Sequence, residues 1–194
     1  MNLSFFALIS RMRYIGRWGL MRNSLPENVQ EHSHMVAVLA HALAVIGREL
    51  YGKTVSPDAC ATAALYHDAS EIITGDLPTP IKYHNAAITS SYHEIEHIAC
   101  EKLISFLPPE LHSAFEPLLY ETDAEVHIYV KAADKLSAYI KCIEERKAGN
   151  NEFLSAEAQT LGALQKLQLP ELNYFIKNFI PAFEKTLDEL GTTN

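Results

Sequence analysis

Four side chains in this sequence are of the types that hold a divalent cation: His32, the adjacent pair His67-Asp68, and Asp134. The apolar spacing around each is helical and puts it at or beside a face meant for the core, where an unpaired carboxylate is costly or is driven to protonate. A bound cation lifts that penalty by pairing with the carboxylates and accepting the imidazole lone pairs. Mixed nitrogen and oxygen ligation suits Mn²⁺, Co²⁺, Fe²⁺ or Zn²⁺ better than Mg²⁺. Glu71 falls one helical turn beyond His67 on the same expected face, over the cation and placed to handle a proton.

Singly these signals are weak. A lone histidine on an apolar face is more often a hydrogen-bonded core residue than a ligand. With nine histidines and six aspartates, about 0.3 His-Asp pairs arise by chance. The context of this pair is better, because it follows the small and apolar run from Ala59 to Tyr66, and a buried helix does not ordinarily carry two ionisable groups side by side. Neighbours on a helix point about 100° apart, close enough for both to reach one ion. His34, His41, His84, His93, His97, His112 and His127 fall on expected polar faces or loops and read as surface residues.

The elements that must position these groups are helices. The first strong one runs from about Val29 to Tyr51, opened by Asn28 with Glu31 three residues on and stopped at Gly52; its buried stripe is His32, Val36, Leu39, Leu43 and Ile46. A second starts at Ser56-Pro57-Asp58 and continues to about Ile73. From Thr74 to Pro80, two prolines and a glycine predict a rigid loop without helix. A third spans Ala86 to Phe106 with Ile88, Tyr92, Ile95, Ala99 and Leu103 inward, and a short one follows from Pro109 to Glu121. The next, Asp123 to Lys147, turns Val126, Val130, Ala133, Ser137 and Ile140 to one side. Two more, about Glu152–Leu167 and Pro170–Leu190, read as packing elements, with Tyr174, Phe175, Phe179 and Phe183 in the core or at a dimer interface. The expected fold is an all-α bundle forming one domain over residues 1–194.

Composition narrows the function classes. The net charge of −8 repels phosphate backbones and anionic membrane surfaces, which disfavours nucleic-acid polymers and membranes as partners. Three scattered cysteines read as reduced thiols, and no leader or membrane-spanning run is evident, so the expected location is cytoplasmic.

The order His32, His67-Asp68, Asp134 on successive helices resembles the metal-dependent phosphohydrolases of the HD-domain superfamily. Within it, Arg17–Asn23, Glu27–Ser33, Tyr66–Glu71, Thr74–Pro80 and Ala132–Asp134 are similar to the bacterial 5′-deoxynucleotidase family. The resemblance implies a homodimer that hydrolyses deoxyribonucleoside 5′-monophosphates to deoxynucleoside and phosphate, using Co²⁺ or Mn²⁺, with Zn²⁺ or Fe²⁺ as further options. It implies His32, His67, Asp68 and Asp134 as metal ligands and Glu71, Arg17 and Asp76 as catalytic groups. Substrate would contact Arg17, Trp18, His32, Asp68, Asp76, Leu77, Pro78, Thr79 and Asp134. Arg17 would hold the phosphate with its planar fork of donors. Trp18 would leave no room for a 2′-hydroxyl. Asp76 and Thr79 would bond the sugar hydroxyl or the phosphate on a loop stiffened by Pro78 and Pro80. Two other readings stay open: an HD-type phosphohydrolase for a cyclic nucleotide, a triphosphate or an alarmone, and a helical regulatory protein that keeps its ion for stability.

Overall fold

The computed structural model describes residues 3–82, 84–120 and 122–191. Among these the chain is helical, and β-type pairing is confined to one antiparallel bridge between Gly16 and Asn28. In chain order the helices are α1 (Phe5–Ile9), α2 (Val29–Tyr51), α3 (Pro57–Tyr66), α4 (Glu71–Thr74), α5 (Thr79–Lys82) and α6 (Ala86–Ile104). They continue with α7 (Pro109–Leu119), α8 (Ala124–Lys147), α9 (Leu154–Lys166), α10 (Pro170–Asn178), α11 (Ile180–Phe183) and α12 (Leu187–Gly191). Short 3₁₀ segments at Ser10–Tyr14 and Asn151–Phe153 follow α1 and precede α9.

Local chemistry sets the long helices as the sequence reading expects. The Asn28 side chain accepts from the Glu31 backbone N–H while the Glu31 carboxylate takes the Asn28 N–H, and Gly52 ends α2 at φ 65°, a left-handed turn open to glycine. His32, Val36, Leu39 and Leu43 are buried along α2. All five residues expected inward on α8 are buried, and Asp123 caps that helix. Helices α2, α3 and α8 pack on one another around the larger apolar cluster, which includes Val36, Leu43, Ala64, Ala133, Leu136 and Ile140. By length and mean hydropathy, α2 is the one helix among the described residues that would reach across a membrane; its burial between α3 and α8 accounts for those apolar residues. A second cluster joins Phe5, Ala69, Cys100, Leu103 and Leu107, seating α1 against α6.

Several expected boundaries are overturned. The helix expected from Ser56 to Ile73 stops at Tyr66 and resumes at Glu71. Across the break, Ala69, Glu71 and Ile72 donate to carbonyls three residues back, so the chain tightens into turns instead of keeping α-helical bonding. The loop expected through Pro80 becomes helix at Thr79. Pro80 sits in the first turn, where its missing N–H costs nothing, and the Pro78 carbonyl accepts from Ile81 and Lys82. On α6, Ile88 and Ile95 face solvent, and Tyr92, Ala99, Cys100 and Leu103 carry the packing. The helix after Pro108 ends at Leu119; its expected end at Glu121 lies outside the described residues. The segment expected as one helix from Pro170 to Leu190 is three, and Phe179 at its first break is exposed.

Candidate active site

His32 lies one turn into α2 with its ring fully buried; Nε2 is 3.1 Å from Asp134 Oδ1 and 3.7 Å from Asp68 Oδ2. Its Nδ1 is 3.3 Å from Ser137 Oγ on α8, which fixes the ring plane. His67 forms the C-terminal cap of α3, and its Nδ1 donates to the Ala64 carbonyl at 2.7 Å. In the neutral ring that bond leaves the lone pair on Nε2. The tight turn after Tyr66 then carries Asp68 to the same point, with Oδ2 3.2 Å from His67 Nε2. Ligand atoms of His32, His67 and Asp68 all lie within 4.8 Å of one another, and Asp134 joins them beside His32.

This donor set fits a divalent ion. His67 Nε2 is buried and makes no hydrogen bond although a carboxylate oxygen is close by, which is how a nitrogen aimed at a metal is left. Burial alone would push Asp68 and Asp134 up; the imidazoles of His67 and His32, with Arg17 beside Asp68, outweigh it and hold both below the usual carboxylate range. Burial opposes protonation of His67, yet the facing carboxylates Asp68 and Asp134 raise it to about 9. Such a cluster of two carboxylates calls for a positive charge, which a proton or a cation supplies.

Glu71 opens α4 and is 6% exposed, and its Oε2 has no hydrogen-bond partner. Burial first, then Asp68 and Asp76, push it up to about 9, so it carries a proton at neutral pH. Helix α4 keeps it near the turn that holds Asp68, although the helical continuity expected from His67 to Glu71 is absent. Burial likewise raises Asp76 against the pull of Arg17.

A loop faces these groups. Residues 15–17 and 27–29 run antiparallel, with Arg17 N–H on the Glu27 carbonyl (3.0 Å) and Val29 N–H on the Ile15 carbonyl (2.9 Å). Arg17 Nη1 reaches Asp68 Oδ2 at 3.3 Å, and Arg17 Nε and Trp18 Nε1 both donate to Glu27 Oε2, at 3.2 and 2.8 Å. Trp18 has φ 62°, left-handed backbone that costs a bulky residue about 1 to 3 kcal/mol. The surroundings hold it there: its carbonyl accepts from Met21 N–H, and its ring lies 5.3 Å from that of Phe153. Further along, buried Glu145 on α8 accepts from the Ser24 and Leu25 N–H groups, while Lys141 bonds both Glu145 and the Leu25 carbonyl. Burial raises Glu145, but Lys141 and those backbone donors win and hold it at about 2.

A cavity of about 730 Å³ opens between these walls, lined by Arg17, Trp18, Asp68, Glu71, Asp76 and Asp134. Leu77, Pro78 and Thr79 line it too, as does Lys82, which sequence reasoning passed over. Ala156, Thr160 and Ala163 of α9 close its outer side, so α9, expected only to pack, also shapes the site: small residues on one face leave room. A second cavity of about 320 Å³ reaches His67, Asp68 and Asp134 and is lined also by His93, His97 and His127, so three histidines expected simply at the surface stand at an opening onto the cation site. His93-Glu94-Ile95-Glu96-His97 has the full H-E-x-x-H spacing, yet the His93 and His97 rings turn to Glu96 (3.0 Å) and Glu101 (3.5 Å). Glu27, Lys141 and Glu145 were also missed. A signal existed for the last two, since Ser137, Lys141 and Glu145 repeat every four residues on an inward face.

The geometry agrees with what the chain is similar to. The family described as 5′-deoxynucleotidase YfbR-like matches residues 4–183. A 5′-deoxynucleotidase of Erwinia tasmaniensis is 51% identical over 190 residues, 96% of each chain. The 5′-deoxynucleotidase YfbR of Shigella boydii is 49% identical, over 96% of this chain and 95% of its own. Among solved structures, an HD-domain phosphohydrolase of Listeria innocua superposes with a TM-score of 0.81 at 23% identity, covering 93% of this chain and 88% of that one. The cyanophage S-2L HD phosphohydrolase DatZ, solved with dA and one catalytic Zn²⁺, gives 0.65 at 20% identity, covering 93% and 96%. With a family match over nearly its whole length, relatives near half identity and the fold of HD-domain phosphohydrolases, this chain belongs to the 5′-deoxynucleotidase YfbR-like family.

Proposed function

We propose that the protein is a metal-dependent 5′-deoxynucleotidase that releases inorganic phosphate from deoxyribonucleoside 5′-monophosphates and discriminates against ribonucleotides. The observation that carries this reading is the convergence of His32, His67 and Asp68 within 4.8 Å, with Asp68 and Asp134 also lining the cavity that Arg17 and Trp18 wall. Relatives at about half identity bear the name of that activity.

His32, His67, Asp68 and Asp134 are the residues that would hold the divalent ion, which lowers the pKa of a bound water and screens the phosphoryl charge. The mixed donor set suits Co²⁺, Mn²⁺, Zn²⁺ or Fe²⁺ alike, and Co²⁺ or Mn²⁺ is our first choice on the family resemblance. Arg17 keeps its charge at any working pH; with Nε–H on Glu27 and one Nη1–H on Asp68, its remaining N–H groups serve the phosphate oxygens. Glu71 Oε2, buried without a partner, is the atom that takes or returns the proton of hydrolysis. Asp76 and Thr79 bond the sugar hydroxyl or the phosphate, and Leu77 and Pro78 line the sugar's path. Trp18, held by Glu27 and Phe153, fills the space a 2′-hydroxyl would need.

We read the whole chain as one phosphohydrolase domain that works as a cytoplasmic homodimer. The three cysteines are buried and form no disulfide among the described residues, in keeping with a reducing compartment. Ile88, Ile95 and Ile98, exposed on one side of α6, supply an apolar stripe that a second copy would cover. The decisive experiment measures phosphate release from matched deoxy- and ribonucleoside 5′-monophosphates with Co²⁺, with Mn²⁺ and after chelation. Release from the deoxy series alone, lost with the metal, is expected. Equal cleavage of both series moves the reading to another HD-type nucleotide phosphohydrolase. No release from any nucleotide, with a melting temperature that falls on chelation, moves it to a regulatory metal protein.

A further inference from the structure

We propose that Glu27 is the positioning residue that sets sugar selectivity, and that one of its carboxylate oxygens couples the sugar gate to the phosphate clamp. The proposal rests on the roles given above to Trp18 and Arg17. Oε2 of Glu27 accepts from Trp18 Nε1–H at 2.8 Å and from Arg17 Nε–H at 3.2 Å, and the side chain is 16% exposed. No other side chain receives a hydrogen bond from the indole among the described residues.

Without that bond the indole is under-determined. The Trp18 backbone is fixed by its carbonyl bond from Met21, and the indole packs at 58° to the ring of Phe153, but one tilted ring contact does not set the rotation of the indole. The Nε1–H bond does. On the same oxygen, Arg17 spends its Nε–H and so presents the outer edge of its guanidinium to the cavity. The backbone of Glu27 completes the device. Its carbonyl takes the Arg17 N–H at 3.0 Å, and the next residue, Asn28, caps the helix that carries His32. Sugar gate, phosphate clamp and one cation ligand are thereby tied to consecutive residues at the start of α2.

The test compares Glu27→Gln, Glu27→Ala, Trp18→Phe and the Trp18→Phe/Glu27→Ala double variant as metal-loaded enzymes. The readouts are the ratio of kcat/KM for a deoxyribonucleoside monophosphate over its ribo counterpart, KM itself, bound metal and melting temperature. Glutamine keeps a carbonyl oxygen for the indole but loses the charge facing Arg17. Glu27→Gln is therefore expected to hold the ratio within about 3-fold of wild type while KM rises about 10-fold. Glu27→Ala is expected to lower the ratio about 10-fold and raise KM as well, with bound metal unchanged. Phenylalanine has no N–H to donate, so in the Trp18→Phe background the Glu27→Ala change should move the ratio by less than about 2-fold yet still raise KM. A merely structural role would lower the melting temperature and leave the ratio alone. Glu27→Ala at the wild-type ratio, or full additivity with Trp18→Phe, overturns the proposal. Wild-type enzyme that cleaves both sugars equally overturns instead the sugar role of Trp18, and this proposal with it.

Discussion

The residues proposed to hold the cation and those proposed to hold substrate are anchored differently. His32, His67 and Asp134 sit on or at the end of α2, α3 and α8, whose inward faces form the larger core cluster. Arg17 and Trp18 sit on an irregular loop tied down by Glu27 and by the Lys141–Glu145 pair. In the first set, geometry follows from packing, and removing a functional side chain leaves its supports standing. In the second, geometry follows from a few polar contacts, so a change at a residue that never meets substrate can move one that does.

Three changes test this contrast, in falling order of effect. Asp68→Ala takes away a carboxylate that faces both imidazoles and Arg17. Activity is expected to fall by about three orders of magnitude or more, with bound metal lost while the helical content by circular dichroism stays. Full activity in a metal-stripped sample of that variant would remove the proposed cation site from the chemistry.

Glu71→Gln is expected to cost roughly 10²- to 10⁴-fold in kcat. It should also stabilise the metal-stripped protein, by an amount that grows with pH. Because the folded value of Glu71 is raised from 4.5 to about 9, its contribution is fully present below 4.5 and is lost progressively as pH rises through 9. The melting-temperature gap between Glu71→Gln and wild type should therefore widen from pH 5 to pH 8. A gap that is constant with pH contradicts the burial argument.

The smallest effect belongs to the loop clamp. Glu145 is held near 2, below its ordinary 4.5, so its stabilisation is present above 4.5 and is lost as pH falls from there toward 2. Lys141→Met removes its cation. The acid midpoint of emission from Trp18, the one tryptophan in the chain, should then move up by about 1 to 3 pH units. Both proteins share the proposed cation site, so the difference isolates the clamp; coincident midpoints would detach it from the loop.

The same contrast explains what the amino-acid order made legible. The boundaries of α2 and α8 follow from Asn28, Glu31, Gly52 and Asp123, whose capping is local, and the cation ligands stood out as charges on apolar faces. The break after Tyr66 has no local marker, since Ala59 to Tyr66 are good helix formers and neither glycine nor proline follows before Gly75. Only tertiary packing tightens the chain there. Ile88 and Ile95 have core-like spacing but are exposed among the described residues, and periodicity cannot say whether an apolar stripe faces its own core or a neighbour. Glu27 lay hidden for another reason: an exposed-looking glutamate before a helix cap carries no pattern, and its importance arises from two donors brought to it by the loop.

The short ladder that pairs residues 15–17 with 27–29 bears on how such an enzyme diversifies. Because the intervening segment leaves and rejoins the helical frame at adjacent points, its interior can change in length and composition without altering the spacing of the residues behind it. Exchanging residues 18–26 between relatives thus offers a compact alteration of this side of the cavity that keeps the spacing of the helices behind it.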